Sequence, residues 1–362
     1  MKWVKNLMKS RKESLPAGYR EYTQRKVAVI ILLVVLSCFL AVYAINAGSA
    51  GLSSREVLLT LLGKGEERWR MIVWNIRLPR VLAALVAGMA LSLAGCVMQN
   101  ILRNPLASSF TLGISQGAAF GAALAILLLG AGSTGSTAAD AVIINSPYLV
   151  SFSAFLGAMA SMTVVLALAA RRDVSPEAMV LGGVALGSLF SAATVILQYF
   201  AQDVQVAAMV FWTFGDVGRA SWRELTLMAV TTGVAFLYFF FNRWNYNALD
   251  GGEETARGLG VEVEKVRLFG MLLASFISAV VVSFLGIIGF IGLVGPHISR
   301  RLIGSDHRFL LPSAAVMGGF LLLAADTFGR TVMAPVVLPV GAVTSFMGAP
   351  LFLYLLLRGY RR

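Results

Sequence analysis

The residues able to do chemistry are few, and they stand far apart. Lys64 sits in Gly63-Lys64-Gly65, but a phosphate-cradling loop needs Ser or Thr directly after the lysine and an earlier glycine at fixed spacing. Neither is there, so the chain is not expected to hydrolyse ATP itself. His297 and His307 are separated by ten positions, and no His/Cys/Asp/Glu group has metal-ligand spacing. They read as polar residues at the inner end of an apolar run and in the loop after it. Cys38 and Cys96 both fall inside apolar runs, where a thiol acts as a small apolar side chain, with no disulfide or metal role. Asp326 is the acid most firmly placed within a run, close to its outer end. Proton- and sodium-driven carriers keep ionisable groups near the midplane to bind the coupling ion, so this scarcity argues against a secondary carrier. No nucleophile, base or metal constellation supports a membrane enzyme either. Arg77, Arg80 and Arg330 mark the outer ends of runs, where a long cationic side chain can keep its head in water.

These residues have to be positioned by elements that live in lipid. With 58% apolar and only 13% charged residues over 362 positions, the chain has too little charge to cover a water-facing surface. Inside a bilayer only helices and closed barrels satisfy every backbone polar group. Barrel strands alternate over about ten positions, whereas the runs here are continuous over roughly twenty. The expected fold is therefore all-α and polytopic, with ten spans near 27–46, 78–101, 110–130, 148–170, 178–200, 222–241, 267–285, 287–303, 309–328 and 338–357. The seventh and eighth run together, and the eighth is short for a full crossing. The first run exceeds the usual signal-peptide core and follows a 26-residue basic segment, so it is expected to stay as an uncleaved helix. The net charge of +12 is spread over short segments between runs, the pattern that orients a membrane protein and not one that grips nucleic acid. With both termini inside, 21 of the 30 Lys and Arg residues fall in cytoplasmic segments.

The domain reading is a basic cytoplasmic segment, 1–26, and one membrane domain, 27–362. Longer loops are expected outside at 47–77, 131–147 and 201–221, and inside at 242–266. That inner segment mixes Asp250, Glu253, Glu254, Glu262 and Glu264 with basic residues, and it exceeds a mere hairpin. Small residues recur at helical spacing. Gly113, Gly117 and Gly121 form one stripe and Gly183 and Gly187 another, as helices packed closely in lipid require. Gly88, Ser92, Gly95 and Gln99 form a further stripe ending in an amide, which suits either close packing or a water-lined path.

Four segments, in order, carry a resemblance. They are Arg77-Leu78-Pro79-Arg80; Met98-Gln99-Asn100-Ile101-Leu102-Arg103-Asn104-Pro105-Leu106-Ala107; Gly252-Glu253-Glu254-Thr255-Ala256-Arg257-Gly258-Leu259-Gly260-Val261; and Gly289-Phe290-Ile291-Gly292-Leu293-Val294-Gly295-Pro296-His297. Asp306-His307-Arg308, Leu338-Pro339-Val340-Gly341 and Gly348-Ala349-Pro350 add to them. From about residue 70 to the C-terminus the chain resembles the permeases of type II ABC importers for iron–siderophores, haem and cobalamin. The resemblance implies ten spans and an inverted relation between spans two to five and seven to ten, which the sequence itself does not display. It implies a multi-pass protein of the prokaryotic cytoplasmic membrane, with both termini inside. It implies import of a bulky metal chelate, most commonly an iron(III)–siderophore, with haem and cobalamin as alternatives. The partners implied are a second permease chain forming a homodimer, two cytoplasmic ATPase subunits that hold ATP and Mg, and an extracytoplasmic binding protein; the chain itself is expected to hold no cofactor.

The resemblance also suggests roles. Arg77, Arg80 and Arg330 would pair with acids of the binding protein. The 247–266 segment, centred on Gly252, Glu253, Glu254, Thr255, Ala256, Arg257, Leu259 and Gly260, would fit a groove on each ATPase, with Ala256 and Leu259 as its apolar contact face and Glu253, Glu254 and Arg257 as helix-spaced charges. Asn104, Pro105 and Leu106, where proline ends the helix ladder, would form an inner gate with Ser175 and Pro176. Gly88, Ser92, Gly95 and Gln99 would line the pathway.

Overall fold

A computed structural model describes residues 17–48, 52–130, 146–169 and 176–359. In chain order the helices are α1 (Ala17–Asn46), α2 (Ser54–Leu61), α3 (Glu67–Ile101), α4 (Ile114–Leu128), α5 (Pro147–Ala169), α6 (Pro176–Phe200) and α7 (Asp203–Thr213). They continue as α8 (Trp222–Phe241), α9 (Arg243–Asp250), α10 (Glu253–Gly258), α11 (Val263–Leu285), α12 (Ile291–Ile303), α13 (His307–Thr331) and α14 (Val340–Gly359). Among the described residues, seven helices are long and apolar enough to cross a membrane: α1, α3, α5, α6, α8, α11 and α13. The other three expected spans fall on α4 and α12, which are shorter, and on α14. The expected 131–147 loop lies almost wholly outside the described residues.

Burial sorts the helices into core and rim. The apolar stretches of α3, α11 and α13 are 78%, 67% and 72% buried, whereas those of α1 and α6 are only 22% and 17% buried. The rim helices turn Leu, Val, Ile and Phe outward, as at Phe39, Leu181 and Phe200. Apolar side chains in such continuous exposure have lipid as their solvent.

Small residues set how closely the core helices approach. A β-carbon on Gly88 would collide with the Gly318 carbonyl, and one on Gly95 with the Gly292 carbonyl. The α3 backbone therefore touches α13 and α12 directly, the contact that van der Waals packing in lipid favours. Gly117 of α4 and Gly157 of α5 stand in the same reciprocal relation, and Gly183 of α6 abuts Leu112. The 113–121 stripe is thus a packing stripe.

Two expected loops prove to be built structure. The described part of the 47–77 segment folds as α2, opened by a Ser53/Glu56 capping box, and as the first turns of α3. There Met71–Arg77 winds as a π-helix. The 201–221 stretch contains α7, whose buried Ala208, Met209 and Trp212 return the chain into the bundle. Eleven residues are too few to signal a span, so hydropathy alone shows a loop there.

The α11–α12 link explains why the two runs merge in the sequence. Gly286 (φ +79°) ends α11, and Phe290 (φ 64°) begins α12. The 13 residues of α12 rise about 20 Å, less than the roughly 30 Å apolar layer, so the link turns inside the layer. Its start is tied to neighbouring irregular chain at 214–216, which is itself bonded to the chain entering α14. Asp216 N–H donates to the Leu285 carbonyl at 2.8 Å, Val340 N–H to Gly215 at 3.2 Å, and Gly341 N–H to Phe214 at 3.2 Å. Non-helical backbone survives at this depth only where protein or a water-filled cavity surrounds it.

Candidate functional site

The end of the bundle where α1 finishes and α3 enters is organised by three arginines. The Arg80 guanidinium donates to Asp326 Oδ1 from Nε at 3.0 Å and from Nη2 at 2.8 Å, and Nη2 also lies 3.3 Å from Asp216 Oδ1. Arg330 Nε donates to the other oxygen of Asp326 at 3.0 Å, while Nη1 and Nη2 donate to the carbonyls of Ala47 and Ala44 at 3.0 and 3.2 Å. Arg77 Nη1 donates to the carbonyls of Ile45 and Asn46 at 2.8 and 3.1 Å. The last carbonyls of α1 have no partner within their own helix and form the negative end of its dipole. Arg77 and Arg330 cap them, and Asp326, fully buried, holds Arg80 and Arg330 in place. All three arginines are thus engaged within the chain, and an acid from another protein would compete with these bonds.

The 247–266 segment forms an elbow. Gly252 (φ +108°) makes the corner between α9 and α10 in a conformation that disfavours any side chain. Glu253 is ion-paired with Arg267, and Arg257 reaches Glu264 at 2.6 Å and Glu253 at 4.0 Å. Glu254, Thr255, Arg257, Gly258, Leu259 and Gly260 are exposed. Ala256 is not: it is fully buried, while Leu259 is 70% exposed. The expectation of an Ala256–Leu259 contact face is therefore corrected. The helical turn points Ala256 into its own fold and leaves Leu259 as the apolar residue on the surface.

At the inner end of α3, Arg103 (φ 47°) turns the chain out of the helix, with its N–H donating to the Asn100 carbonyl and that of Asn104 to Gln99. The Asn104 side-chain oxygen accepts the Leu106 N–H at 2.8 Å, and Thr111 Oγ1 donates to the Leu106 carbonyl at 3.1 Å. Such side-chain-to-backbone bonds fix a turn without regular structure. Pro105 and Leu106 are exposed, and Pro176 opens α6. Ser175 lies outside the described residues.

The stripe Gly88, Ser92, Gly95 and Gln99 does not face open space. Ser92 Oγ donates to the Ala314 carbonyl at 2.6 Å, Gln99 Nε2 donates to Gly292 at 3.3 Å, and Gln99 Oε1 accepts from Arg300 at 3.2 Å. With both glycines pressed against backbone, the stripe is the α3 contact with α12 and α13. The pathway-lining expectation is corrected accordingly, because the polar atoms that suggested water are bonded inside the protein.

Open space lies elsewhere. A cavity of about 250 Å³ sits where the irregular segments meet, lined by Phe110, Phe214, Ile287, Phe290, Gly341 and Ser345. A larger one, about 680 Å³, opens between α5, α7 and α8, with Tyr148, Trp212, Arg219, Glu224 and Phe284 on its walls. Sequence reasoning gave no role to Asp216, and it named Phe290 and Asp250 without foreseeing the left-handed turn at the one or the contacts of the other. The only forewarning was the glycine-rich break at 286–289, whose neighbours cannot be inferred from hydropathy.

A match to the FecCD transport family covers residues 31–358. The chain is 53% identical to the "Putative ABC transporter permease protein MJ0087" of Methanocaldococcus jannaschii, over 96% of this chain and 99% of that one. It is 38% identical to the hemin transport system permease protein HmuU of Yersinia pestis, over 90% of this chain and 94% of that one. Among solved structures it superposes on "An inward-facing conformation of a putative metal-chelate type ABC transporter" with TM-score 0.79 and 29% identity, covering 91% of this chain and 99% of that one.

Proposed function

The chain belongs to the FecCD transport family, as the multi-pass permease subunit of an ABC importer, and from that footing we propose that its cargo is an iron(III)–siderophore carried into the cytoplasm. Haem is the second reading, favoured by the 38% identity to a hemin permease. The cargo passes unaltered, so the chain supplies a route and a motion, not a catalytic group. In this reading two copies enclose the pathway and two cytoplasmic ATPase subunits hold the ATP and Mg. Both termini and the α9–α10 elbow lie on the ATPase side of the membrane.

The observation that carries the reading is that elbow. It is a short charged helix pair, braced by Glu253–Arg267 and Arg257–Glu264, with Leu259 on the outside, in a chain whose sequence contains no phosphate-binding loop of its own. It supports a surface that receives work from a nucleotide-binding partner. Nucleotide closure would shift the elbow and, with it, the balance between inward- and outward-open states. At the inner face, the Asn104–Leu106 turn and the Pro176 end of α6 are the candidate gate.

At the outer face a binding protein delivers the cargo. Arg77, Arg80 and Arg330 remain candidates for its docking, and their internal bonds support a role in shaping that surface alongside any ion pairing; exposed pairs mainly steer and orient. The deciding experiment is reconstitution. Proteoliposomes holding this chain with its ATPase and binding protein should accumulate radio-iron supplied as a siderophore chelate only when ATP is inside the nucleotide-accessible compartment. Accumulation by the chain alone, without nucleotide, would overturn the importer reading. ATP-dependent uptake of haem with no uptake of the siderophore would select the second cargo.

A further inference from the structure

The elbow is bolted to the core on the side away from its exposed surface. Asn100, at the inner end of α3, donates from Nδ2 to the Tyr246 carbonyl at 3.1 Å and to Asp250 Oδ1 at 2.7 Å. Asn247, one residue on from Tyr246, donates from Nδ2 to Asp306 Oδ1 at 3.1 Å, and its Oδ1 accepts the His307 N–H at 2.8 Å. Asp306 is also the N-cap of α13, accepting the Arg308 N–H at 3.0 Å. The His307 ring stands with Nδ1 3.0 Å from Asn247 Oδ1 and 3.6 Å from Asp250 Oδ2, and its centroid is 5.7 Å from that of Tyr246. Tyr246, Asn100 and His307 are buried, so these bonds form away from competing water.

The far side of the same corner is buttressed. Arg308 donates to the Tyr19 hydroxyl at 3.0 Å, and the Lys26 ammonium stands 4.1 Å over the Tyr22 ring and 5.2 Å over that of Phe309. Those α1 residues precede the family match, which begins at residue 31. Burial pushes the Asp250 carboxyl above the usual carboxylate range, against the pull of the Asn100 hydrogen bond. At Asp306 burial also acts upward, but hydrogen bonds from Arg308 N–H and Asn247 outweigh it and hold that carboxyl below the usual range.

We propose that α9 is a rigid bracket that delivers displacement of α10 to the inner ends of α3 and α13 together, with Asn247, Asp250 and Asp306 as its positioning residues. Only Gly251 and Gly252 separate α9 from α10, and the Glu253–Arg267 pair ties α10 to α11, so little slack remains to absorb a push. The proposal rests on α10 being the element that meets the ATPase.

The test reads motion directly and needs no cargo. In a Cys38→Ser background of the assembled permease–ATPase complex, spin labels are placed at Leu259→Cys on the elbow or Ser305→Cys on the α12–α13 corner. Distances between the two permease chains are then measured with and without ATP trapped by vanadate. In the otherwise unaltered complex both distances should shift. Adding Asn247→Ala should leave the 259 shift and abolish at least half of the 305 shift. General destabilisation would instead blur both. A full 305 shift in the Asn247→Ala complex overturns the bracket, as does a 305 label that never moves while 259 does. An immobile 259 label in the unaltered complex removes the coupling reading itself, and the bracket with it. If Asn247→Ala does not assemble, Asn247→Asp keeps the volume, removes the donor to Asp306 and sets two carboxylates against each other, and it carries the same expectation.

Discussion

With Arg80 on one carboxylate oxygen and Arg330 chiefly on the other, Asp326 ties α3 to α13, and Arg330 passes that tie on to the end of α1. Removing one partner from a buried charge network leaves the others uncompensated, at a cost of about 3–5 kcal/mol. Asp326→Asn should therefore lower the melting temperature of the detergent-solubilised chain markedly. A melting temperature equal to that of the unaltered chain would show that the arginines are satisfied without it. Ala256 makes a second residue-scale test. Because it is buried within its own fold, Ala256→Leu should cost about 1–3 kcal/mol through overpacking, and the loss should appear in the isolated chain with no ATPase present. A residue that served only as a contact face would leave the isolated chain unchanged. Neither role is legible in the sequence. Arg80 and Asp326 are 246 positions apart, and which way Ala256 points depends on how α10 sits on the bundle.

At the scale of elements, the glycines of α3 separate from those of α8 by what surrounds them. A β-carbon on Gly95 would strike the Gly292 carbonyl, whereas one on Gly233 meets nothing within 4 Å. Gly95→Ala should thus push α3 from α12 and destabilise by about 1–3 kcal/mol. Gly233→Ala should be neutral, or stabilise by up to about 1 kcal/mol through helix propensity. Thermal unfolding of the two variants side by side measures the difference, and equal effects would mean that α3 and α12 can part freely. The sequence displayed both glycines with equal clarity. It even offered the Gly88–Gln99 stripe as a water-lined path, because a serine and an amide at helical spacing look the same whether they meet water or the carbonyls of Ala314 and Gly292.

For the whole molecule, the basic segments between the spans predict which side each loop faces. An impermeant thiol reagent should reach Arg55→Cys from outside intact cells and Leu259→Cys only in inverted vesicles. The reverse pattern would invert the proposed topology. The all-helical, multi-pass fold and the charged character of 247–266 were legible in the sequence alone, because hydropathy acts segment by segment: each stretch chooses lipid or water on its own composition. The tertiary structure alone decided which helices form the core, that 201–221 re-enters through α7, and that Asp216 bonds the start of the α11–α12 link while residues 214–215 bond 340–341. It also decided that Arg77 and Arg330 cap α1 and that Asn247 and Asp306 lock the elbow to α13. These depend on the rotation and separation of helices remote in the chain, and no local property of the residues records either quantity.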